Sequence, residues 1–100
     1  MQEYFLFAGG YAVKIKDSFY LKNISGENIV FCSDKSENFN KVIKLTNSAA
    51  FLWRELKSGE KTNEELFNSL VDFYNISSVL ALNEIDTFLR TLRENGILEK

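Results

Sequence analysis

The spacing of the apolar residues changes near residue 45, and this change constrains the fold more than any other feature of the sequence. Before it, short segments rich in strand-forming residues are separated by polar turns. After it, apolar residues recur every three or four positions, as they do on the buried face of an amphipathic helix. No proline, repeat or low-complexity linker separates the two halves of this 100-residue chain. The pattern therefore predicts a single α+β domain.

The first half of the chain is predicted to contain three strands that form an antiparallel sheet. Residues 19–24 and 29–32 favour strands, and the sequence Ser-Gly-Glu-Asn at residues 25–28 favours a tight reversal between them. Residues 39–45 alternate between two faces, which predicts a third, half-buried strand. One face carries Phe39, Lys41, Ile43 and Leu45, and the other carries Asn40, Val42 and Lys44.

The second half is predicted to form three amphipathic helices, because capping residues and helix terminators bracket each apolar stripe. The predicted starts are Thr46 or Asn47, the capping box that begins at Thr62, and Ser77 or Ser78. The predicted ends are Ser58-Gly59, Asn75 and Asn95-Gly96. The first two helices, about three residues apart, have the dimensions of a helix-turn-helix pair. We therefore expect a winged helix-turn-helix-like fold, with an N-terminal three-stranded antiparallel sheet followed by three helices.

The side chains that catalysis and metal binding usually require are scarce. With no histidine and one cysteine, a single chain cannot build a zinc site from the usual ligands or a histidine-based catalytic triad. Cys32 ends the apolar sequence Ile-Val-Phe-Cys, where a buried, inert thiol is expected rather than a nucleophile. The conspicuous acidic clusters lie at predicted turns and helix starts, and no glycine-rich phosphate loop is present. We therefore expect a protein that is not an enzyme and holds no metal or cofactor.

The N-terminal residues 1–13 are interpreted as an extension of a single domain that covers residues 14–100. The uninterrupted apolar run of this extension, residues 4–8, is five residues long. A secretory signal needs about 7–15 apolar residues and a membrane span needs about 20. We therefore expect a cytoplasmic protein that does not bind membranes. Residues 4–8 are either an extra strand or an irregular start, and the sequence leaves both alternatives open.

The third predicted strand is a candidate for peptide binding. If residues 39–45 lie at a sheet edge, their unpaired backbone groups can accept another strand, and the flank of the third helix can form a groove beside them. Asp86, Arg90 and Arg93 lie along one border of the apolar stripe of that helix. The alternative for these charges is an ordinary exposed pair between Asp86 and Arg90, which would contribute only a few tenths of a kcal/mol.

Several short motifs follow one another in a distinctive order across about residues 14–99. They are Ile43-Lys44-Leu45-Thr46-Asn47, Ala49-Ala50-Phe51-Leu52-Trp53, Leu56 with Gly59, Thr62-Asn63-Glu64-Glu65-Leu66, Phe88-Leu89-Arg90-Thr91-Leu92 and Gly96-Ile97-Leu98. In this order and spacing, the motifs resemble those of the PqqD family. The first 13 residues lie outside the resemblance.

The resemblance to the PqqD family implies a small, non-catalytic winged-helix domain. Such a domain binds the leader part of a ribosomally made precursor peptide and presents the core peptide to a modifying enzyme, in many pathways a radical-SAM enzyme. The leader adds as a strand beside the third strand, in a groove walled by the third helix. The positions that the resemblance assigns to peptide binding are Asn40, Lys41, Val42, Ile43, Lys44 and Leu45 on the strand, and Ile85, Leu89, Arg90 and Arg93 on the helix.

Two other functions remain as alternatives, a winged-helix DNA-binding regulator and an adaptor subunit that holds partner proteins together. The charges disfavour DNA, because residues 79–94 carry two arginines against three acids and the second predicted helix carries no lysine or arginine. The whole chain has a net charge of −2. We therefore expect no nucleic-acid partner. Both a monomer and a strand-exchanged dimer are compatible with the sequence.

Overall fold

The computed structural model of the protein describes residues 12–35 and 39–99. Its elements in chain order are β1 (Ala12–Val13), β2 (Phe19–Ile24), β3 (Glu27–Cys32), β4 (Ile43–Leu45), α1 (Asn47–Lys57), β5 (Lys61–Thr62), α2 (Asn63–Tyr74) and α3 (Ser78–Glu94). The predicted α+β class, a three-stranded antiparallel sheet followed by three helices, is confirmed. The alternatives considered for residues 4–8 lie outside the described residues.

The three-stranded sheet has the order β2-β3-β4, with both pairs antiparallel. The hairpin between β2 and β3 is tighter than predicted, because Glu27 already pairs with Ile24. Its turn is therefore the dipeptide Ser25-Gly26, at φ values of 53° and 87°. Positive φ at both central positions is the conformation that matches the twist of a two-residue hairpin. Glycine adopts it freely and serine does not, so Ser25 is held there by the pairing on either side.

Strand β4 is shorter than the predicted strand at residues 39–45. It contains Ile43–Leu45 and pairs with β3 through Asn28, Ile29 and Val30. Ile43 and Leu45 are buried, as the alternation predicted. Continuing the alternation would bring Lys41 to the same face as these two residues. Burial of an unpaired ammonium group is costly, and Lys41 is exposed in a segment that precedes the strand.

A second, two-stranded sheet was not predicted. In it, Ala12 and Val13 pair with Thr62 and Lys61 in antiparallel register. The N-terminal segment also pairs with the C-terminal segment, through an isolated antiparallel bridge between Ile15 and Leu98. Strand β5 lies between α1 and α2 in the sequence, so these helices are joined by residues 58–62 rather than by about three residues.

The helices begin and end close to the predicted residues. Thr46 caps α1 by accepting a hydrogen bond from the amide of Ala49, and Thr62 with Glu65 forms the predicted capping box of α2. Asn75 ends α2 in the left-handed conformation. Within residues 12–35 and 39–99, no helix has the length and apolar character needed to cross a membrane.

The hydrophobic core lies between the three-stranded sheet and the helices. Trp53 is 2% exposed and belongs to the largest of the fully buried side chains. The other large ones are Phe19, Ile15, Leu52, Leu56, Leu66, Leu70, Ile85, Leu92 and Ile97. All three helices and the sheet contribute to this cluster, so their relative positions are set by one shared core.

Candidate functional site

A groove of about 420 Å³ lies between the end of β4 and one face of α3. Leu45, Ala49 and Phe88 are the buried apolar residues that line it, and we call these three residues the groove floor. The polar residues around the floor are Lys44, Thr46, Asn83, Glu84, Thr87 and Thr91. The groove is therefore apolar at its base and offers hydroxyl, amide and charged groups along its sides.

The backbone of β4 borders this groove at the edge of the sheet. Among residues 12–35 and 39–99, the strand order is β2-β3-β4, so β4 is a terminal strand of the described sheet and is paired with β3 on one side. The second side of a terminal strand carries backbone N–H and C=O groups that a further strand can pair with. The site thus combines a terminal strand with an adjacent groove, an arrangement that is typical of domains that bind peptides by strand addition.

The face of α3 that meets the groove is defined by helical spacing. Glu84, Thr87, Phe88 and Thr91 follow one another at steps of three, one and three residues, which places them on one side of the helix. Asn83 lies one turn before Thr87 on the same border. The apolar stripe of α3 packs into the core on the neighbouring side of the helix. Two adjacent faces of α3 therefore have different roles: one packs in the core and the other lines the groove.

Asn28 fixes the end of β4 from inside the sheet. Its side chain is 8% exposed, and its amide nitrogen donates to the carbonyl oxygen of Leu45 and to Oδ1 of Asn47, both at 3.1 Å. Its oxygen accepts a hydrogen bond from Nδ2 of Asn23 at 3.1 Å. Because these bonds join β3, the end of β4 and the start of α1, they hold the strand edge beside the groove.

The role of Asn28 was missed in the sequence, where it was assigned to the predicted turn at residues 25–28. A signal was present nonetheless. Asn28 lies two positions before Val30, on the face of β3 that points to the core. A polar residue at such a position must find buried partners, and this requirement points to a structural hydrogen-bond network.

Charged side chains at the two sides of the groove differ in how they are paired. Lys44 Nζ lies 3.1 Å from Oε1 of Glu27, which is two positions before Ile29, the residue that pairs with Lys44 across the sheet. Glu84 is half-buried, and its Oε1 accepts a hydrogen bond of 2.7 Å from the hydroxyl of Ser48 in the first turn of α1. The lysine charge is thus compensated by a carboxylate, whereas the carboxylate of Glu84 is bound by a neutral group.

The predicted strand residues of the site are adjacent in the structure. Residues 40–42 lie in the exposed segment before β4, and Ile43, Lys44 and Leu45 form β4 itself. The side chains of Ile43 and Leu45 point into the core, whereas Val42 is 76% exposed. The exposed residues 40–42 therefore lead directly into the short strand β4.

The predicted helix residues are placed differently from the predicted strand residues. Ile85 and Leu89 are 0% and 3% exposed and belong to the core, and neither lines the groove. Arg90 is exposed and forms an ion pair with Asp86, the ordinary pair considered as the alternative in the sequence analysis. Arg93 is also exposed, and neither arginine is among the residues that line the groove.

The residues of α3 that line the groove were not predicted, although their spacing in the sequence gives a signal. Asn83, Thr87 and Thr91 recur every four residues and form a polar stripe along one border of the apolar stripe. Asp86, Arg90 and Arg93, the charged residues considered in the sequence, lie on the opposite border. Small polar side chains beside an apolar stripe are a pattern that suits a partly accessible groove wall.

The fold and the site together define a class, a small α+β domain with an open edge strand beside a helix-walled groove. A family model, "Coenzyme PQQ synthesis protein D (PqqD)", matches residues 25–98. Since this match covers most of the chain, the protein belongs to the PqqD family.

Comparison with solved structures gives a consistent fold. A structure described as "TbiB1 in Complex with the TbiA(beta) Leader Peptide" is similar to this chain, with a TM-score of 0.66 and 22% sequence identity. The similarity covers 86% of this chain and 94% of that chain. At this identity the likeness shows a shared fold. A search of curated proteins finds no match.

Proposed function

We propose that this protein is a non-catalytic module that binds the leader part of a ribosomally made precursor peptide. The observation that carries the proposal is the open edge of β4 beside the groove between β4 and α3. Membership of the PqqD family supports it. The similar fold of TbiB1, whose structure contains a leader peptide, is consistent with the same use of the fold.

In this proposal the leader adds as a strand to the edge of β4. It pairs with the backbone of Ile43–Leu45 and continues along the exposed residues Asn40, Lys41 and Val42. Six paired positions span about 20 Å at the rise of a β-strand. Backbone hydrogen bonds of this kind supply affinity for many sequences, and the pockets for alternate side chains supply the selection.

The residues of α3 take two roles in this proposal. Glu84, Thr87 and Thr91 contact the side chains of the leader that enter the groove, since they line it. Ile85 and Leu89 do not contact the leader but help to position the groove, because their packing in the core sets the distance between α3 and the sheet. Of the sequence predictions, Arg90 and Arg93 remain as contacts for parts of the leader that extend beyond the groove.

We further propose that the module acts together with a modifying enzyme in the cytoplasm. Binding the leader along one sheet edge leaves the core peptide free to reach the active site of that enzyme. A radical-SAM enzyme is the partner that the family resemblance implies. A strand-exchanged dimer would occupy the β4 edge and compete with the leader, so the monomer is the form proposed to bind.

An NMR titration of the ¹⁵N-labelled protein tests the proposal. Synthetic leader peptides from short reading frames next to the gene serve as ligands, with scrambled versions of the same composition as controls. The expected result is amide shift changes at residues 40–45 and at residues 83–91 with the native order only. Changes confined to the turn at Ser25-Gly26 and to α2, with β4 unaffected, would contradict strand addition at this edge.

Duplex DNA provides a further control because it tests the regulator alternative. Helix α3 carries Arg90 and Arg93 against three acids, and the acidic residues of α2 are Glu64, Glu65 and Asp72, with no lysine or arginine. Such helices repel phosphates, so DNA is expected to leave the spectrum unchanged at about 150 mM salt. Sub-micromolar, sequence-selective DNA binding would instead favour a regulator. Enzyme binding that is unaffected by the leader would favour the adaptor alternative.

A further inference from the structure

The charges that line the groove are not balanced within the protein. Among the described residues that line the groove, Glu84 supplies the one carboxylate and Lys44 supplies the one ammonium group. Lys44 is already paired with Glu27 at 3.1 Å. Among residues 12–35 and 39–99, no lysine or arginine forms an ion pair with Glu84. The groove together with Glu27 therefore carries a net negative charge, and this charge is located on the α3 side.

The carboxylate of Glu84 is also held in position. Its Oε1 accepts the 2.7 Å hydrogen bond from Ser48, which lies in the first turn of α1 across the groove floor from α3. A carboxylate can accept further hydrogen bonds through its remaining lone pairs. Because Glu84 is half-buried, its field is screened less than that of a fully exposed acid. A cationic side chain that enters the groove therefore meets an oriented, uncompensated acceptor.

The floor of the groove lies one helical turn from this acceptor. Glu84 and Phe88 are four residues apart on α3, which corresponds to a rise of about 6 Å along the helix. Side chains two positions apart on an added strand point to the same side and are separated by about 7 Å. A strand beside β4 can thus place one side chain at Glu84 and the next on that side over Leu45, Ala49 and Phe88.

We propose that the groove selects peptides carrying a lysine or arginine opposite Glu84 and an apolar side chain two positions away, over the groove floor. This inference rests on the proposed function, which it deepens by naming the chemical class of the leader. A leader that bound chiefly through the arginines of α3 would instead have to be acidic. Arg90 is paired with Asp86, and Lys44 is paired with Glu27, so the carboxylate of Glu84 is the charge in the groove that has no ion-pair partner among the described residues.

A peptide library tests the inference without knowledge of the natural leader. Random 12-residue peptides displayed on phage are selected against three forms of the protein: wild type, Glu84→Gln and Asp72→Asn. The Glu84→Gln substitution retains an oxygen that accepts the hydrogen bond from Ser48 but removes the charge. The Asp72→Asn variant is the control, because it also removes one negative charge, but at an exposed residue of α2 that does not line the groove.

The wild type and the Asp72→Asn variant should both enrich lysine or arginine two positions from an apolar residue. The Glu84→Gln pool should lose the basic preference and keep the apolar one. For a selected peptide, replacement of the basic residue by methionine should weaken binding to the wild type about fivefold and leave binding to Glu84→Gln unchanged. The Glu84→Lys variant should enrich aspartate or glutamate at the same position.

Three results would overturn the inference. In the first result, selected peptides shift the amides of Ile43–Leu45 and yet carry no lysine or arginine two positions from an apolar residue. This result would refute the charge selection but would still support strand addition at β4. A basic preference that persists in a folded Glu84→Gln variant would assign it to another group. If no selected peptide shifts the β4 amides, neither the charge selection nor strand addition at this edge holds. Thermal melts of each variant verify that the compared proteins are folded.

Discussion

The two edges of the three-stranded sheet are treated differently by the rest of the molecule. At the β2 edge, Nζ of Lys57 donates a hydrogen bond of 2.8 Å to the carbonyl oxygen of Phe19. Lys57, Arg54 and Trp53 line a cavity of about 300 Å³ against Tyr20 and Leu21 of β2. At the β4 edge, a groove separates the strand from α3. At the β2 edge, a lysine of the protein itself therefore binds an edge carbonyl beside a smaller cavity, whereas among residues 12–35 and 39–99 no strand pairs with the outer side of β4.

Side-chain size accounts for much of this difference. Beside β2, α1 contributes the indole of Trp53 and the long cationic chains of two residues, and charges at an edge discourage pairing with another strand. Beside β4, α1 and α3 contribute Ala49, Thr87 and Thr91, which are too small to fill the space. Phe88 closes only the floor. The comparison shows that small side chains on the neighbouring helices leave a groove beside β4, which is the space that the proposed strand addition requires.

The largest expected effect is a loss of stability on substitution of Trp53, which lies beside the β2 edge. Trp53→Ala removes a large side chain that is 2% exposed, and should lower the free energy of unfolding by about 3–5 kcal/mol. Urea unfolding followed by circular dichroism measures this change. Arg54→Ala, a neighbouring exposed residue, is the control and should change stability by less than about 0.5 kcal/mol. Equal stability of Trp53→Ala and wild type would contradict the assigned role of Trp53 in the core.

Asn28→Ala tests how the open edge is held. The substitution leaves the carbonyl of Leu45 and the side chain of Asn47 without the donor that joins them, so a loss of about 2 kcal/mol is expected. The β4 amides should exchange hydrogen faster, because the end of that strand is released. Asn23→Ala removes the bond to the oxygen of Asn28 and an exposed bond from the Gly26 amide, but it keeps both bonds that Asn28 donates, so it should cost less. Unchanged exchange at β4 would show that the network does not hold the edge.

Val42→Pro tests whether the segment before β4 pairs with a peptide. Val42 lies outside the pairing between β3 and β4, so the folded protein should lose little stability. Proline lacks the N–H and obstructs an added strand, so leader affinity should fall about tenfold in a calorimetric titration. Val42→Ala keeps the N–H and is the matched control. Equal affinities of the two variants would limit the pairing to Ile43–Leu45.

Lys57→Met should have the smallest effect and should be confined to the β2 edge. Loss of the hydrogen bond to the carbonyl of Phe19 should cost about 1 kcal/mol of stability, because the methionine retains the apolar part of the chain. Leader affinity should not change. A reduced affinity in this variant would show that the two edges are coupled, contrary to the distinction drawn between them.

Much of the fold could be predicted from local sequence signals. The capping residues of all three helices and the left-handed Asn75 follow from short-range hydrogen bonding, which is legible within a few positions. The hairpin of β2 and β3 was predicted for the same reason, although its turn is shorter than expected. The PqqD family membership was also predicted, from motifs that span both halves of the chain.

The missed features depend on contacts between distant parts of the chain. The pairing of Ala12 and Val13 with Lys61 and Thr62 involves two residues on each side, too few for any alternation to be detected. The face of α3 that borders the groove is set by how the helix crosses the sheet, which its sequence periodicity does not contain. The structural role of Asn28 depends on hydrogen-bond partners that lie up to 19 residues away in the sequence.

The bridge between Ile15 and Leu98 has a consequence for how this domain can be combined with others. The backbone amide of Glu99 donates to the carbonyl of Lys14 at 2.8 Å, and that of Lys16 donates to the carbonyl of Ile97 at 2.9 Å. The described polypeptide therefore enters and leaves the domain through adjacent, antiparallel segments. A domain with this geometry can be inserted into a surface loop of a host protein with little distortion of either fold. A covalent fusion to a second protein at one or both of these segments could then hold the β4 groove at a constant distance from that protein.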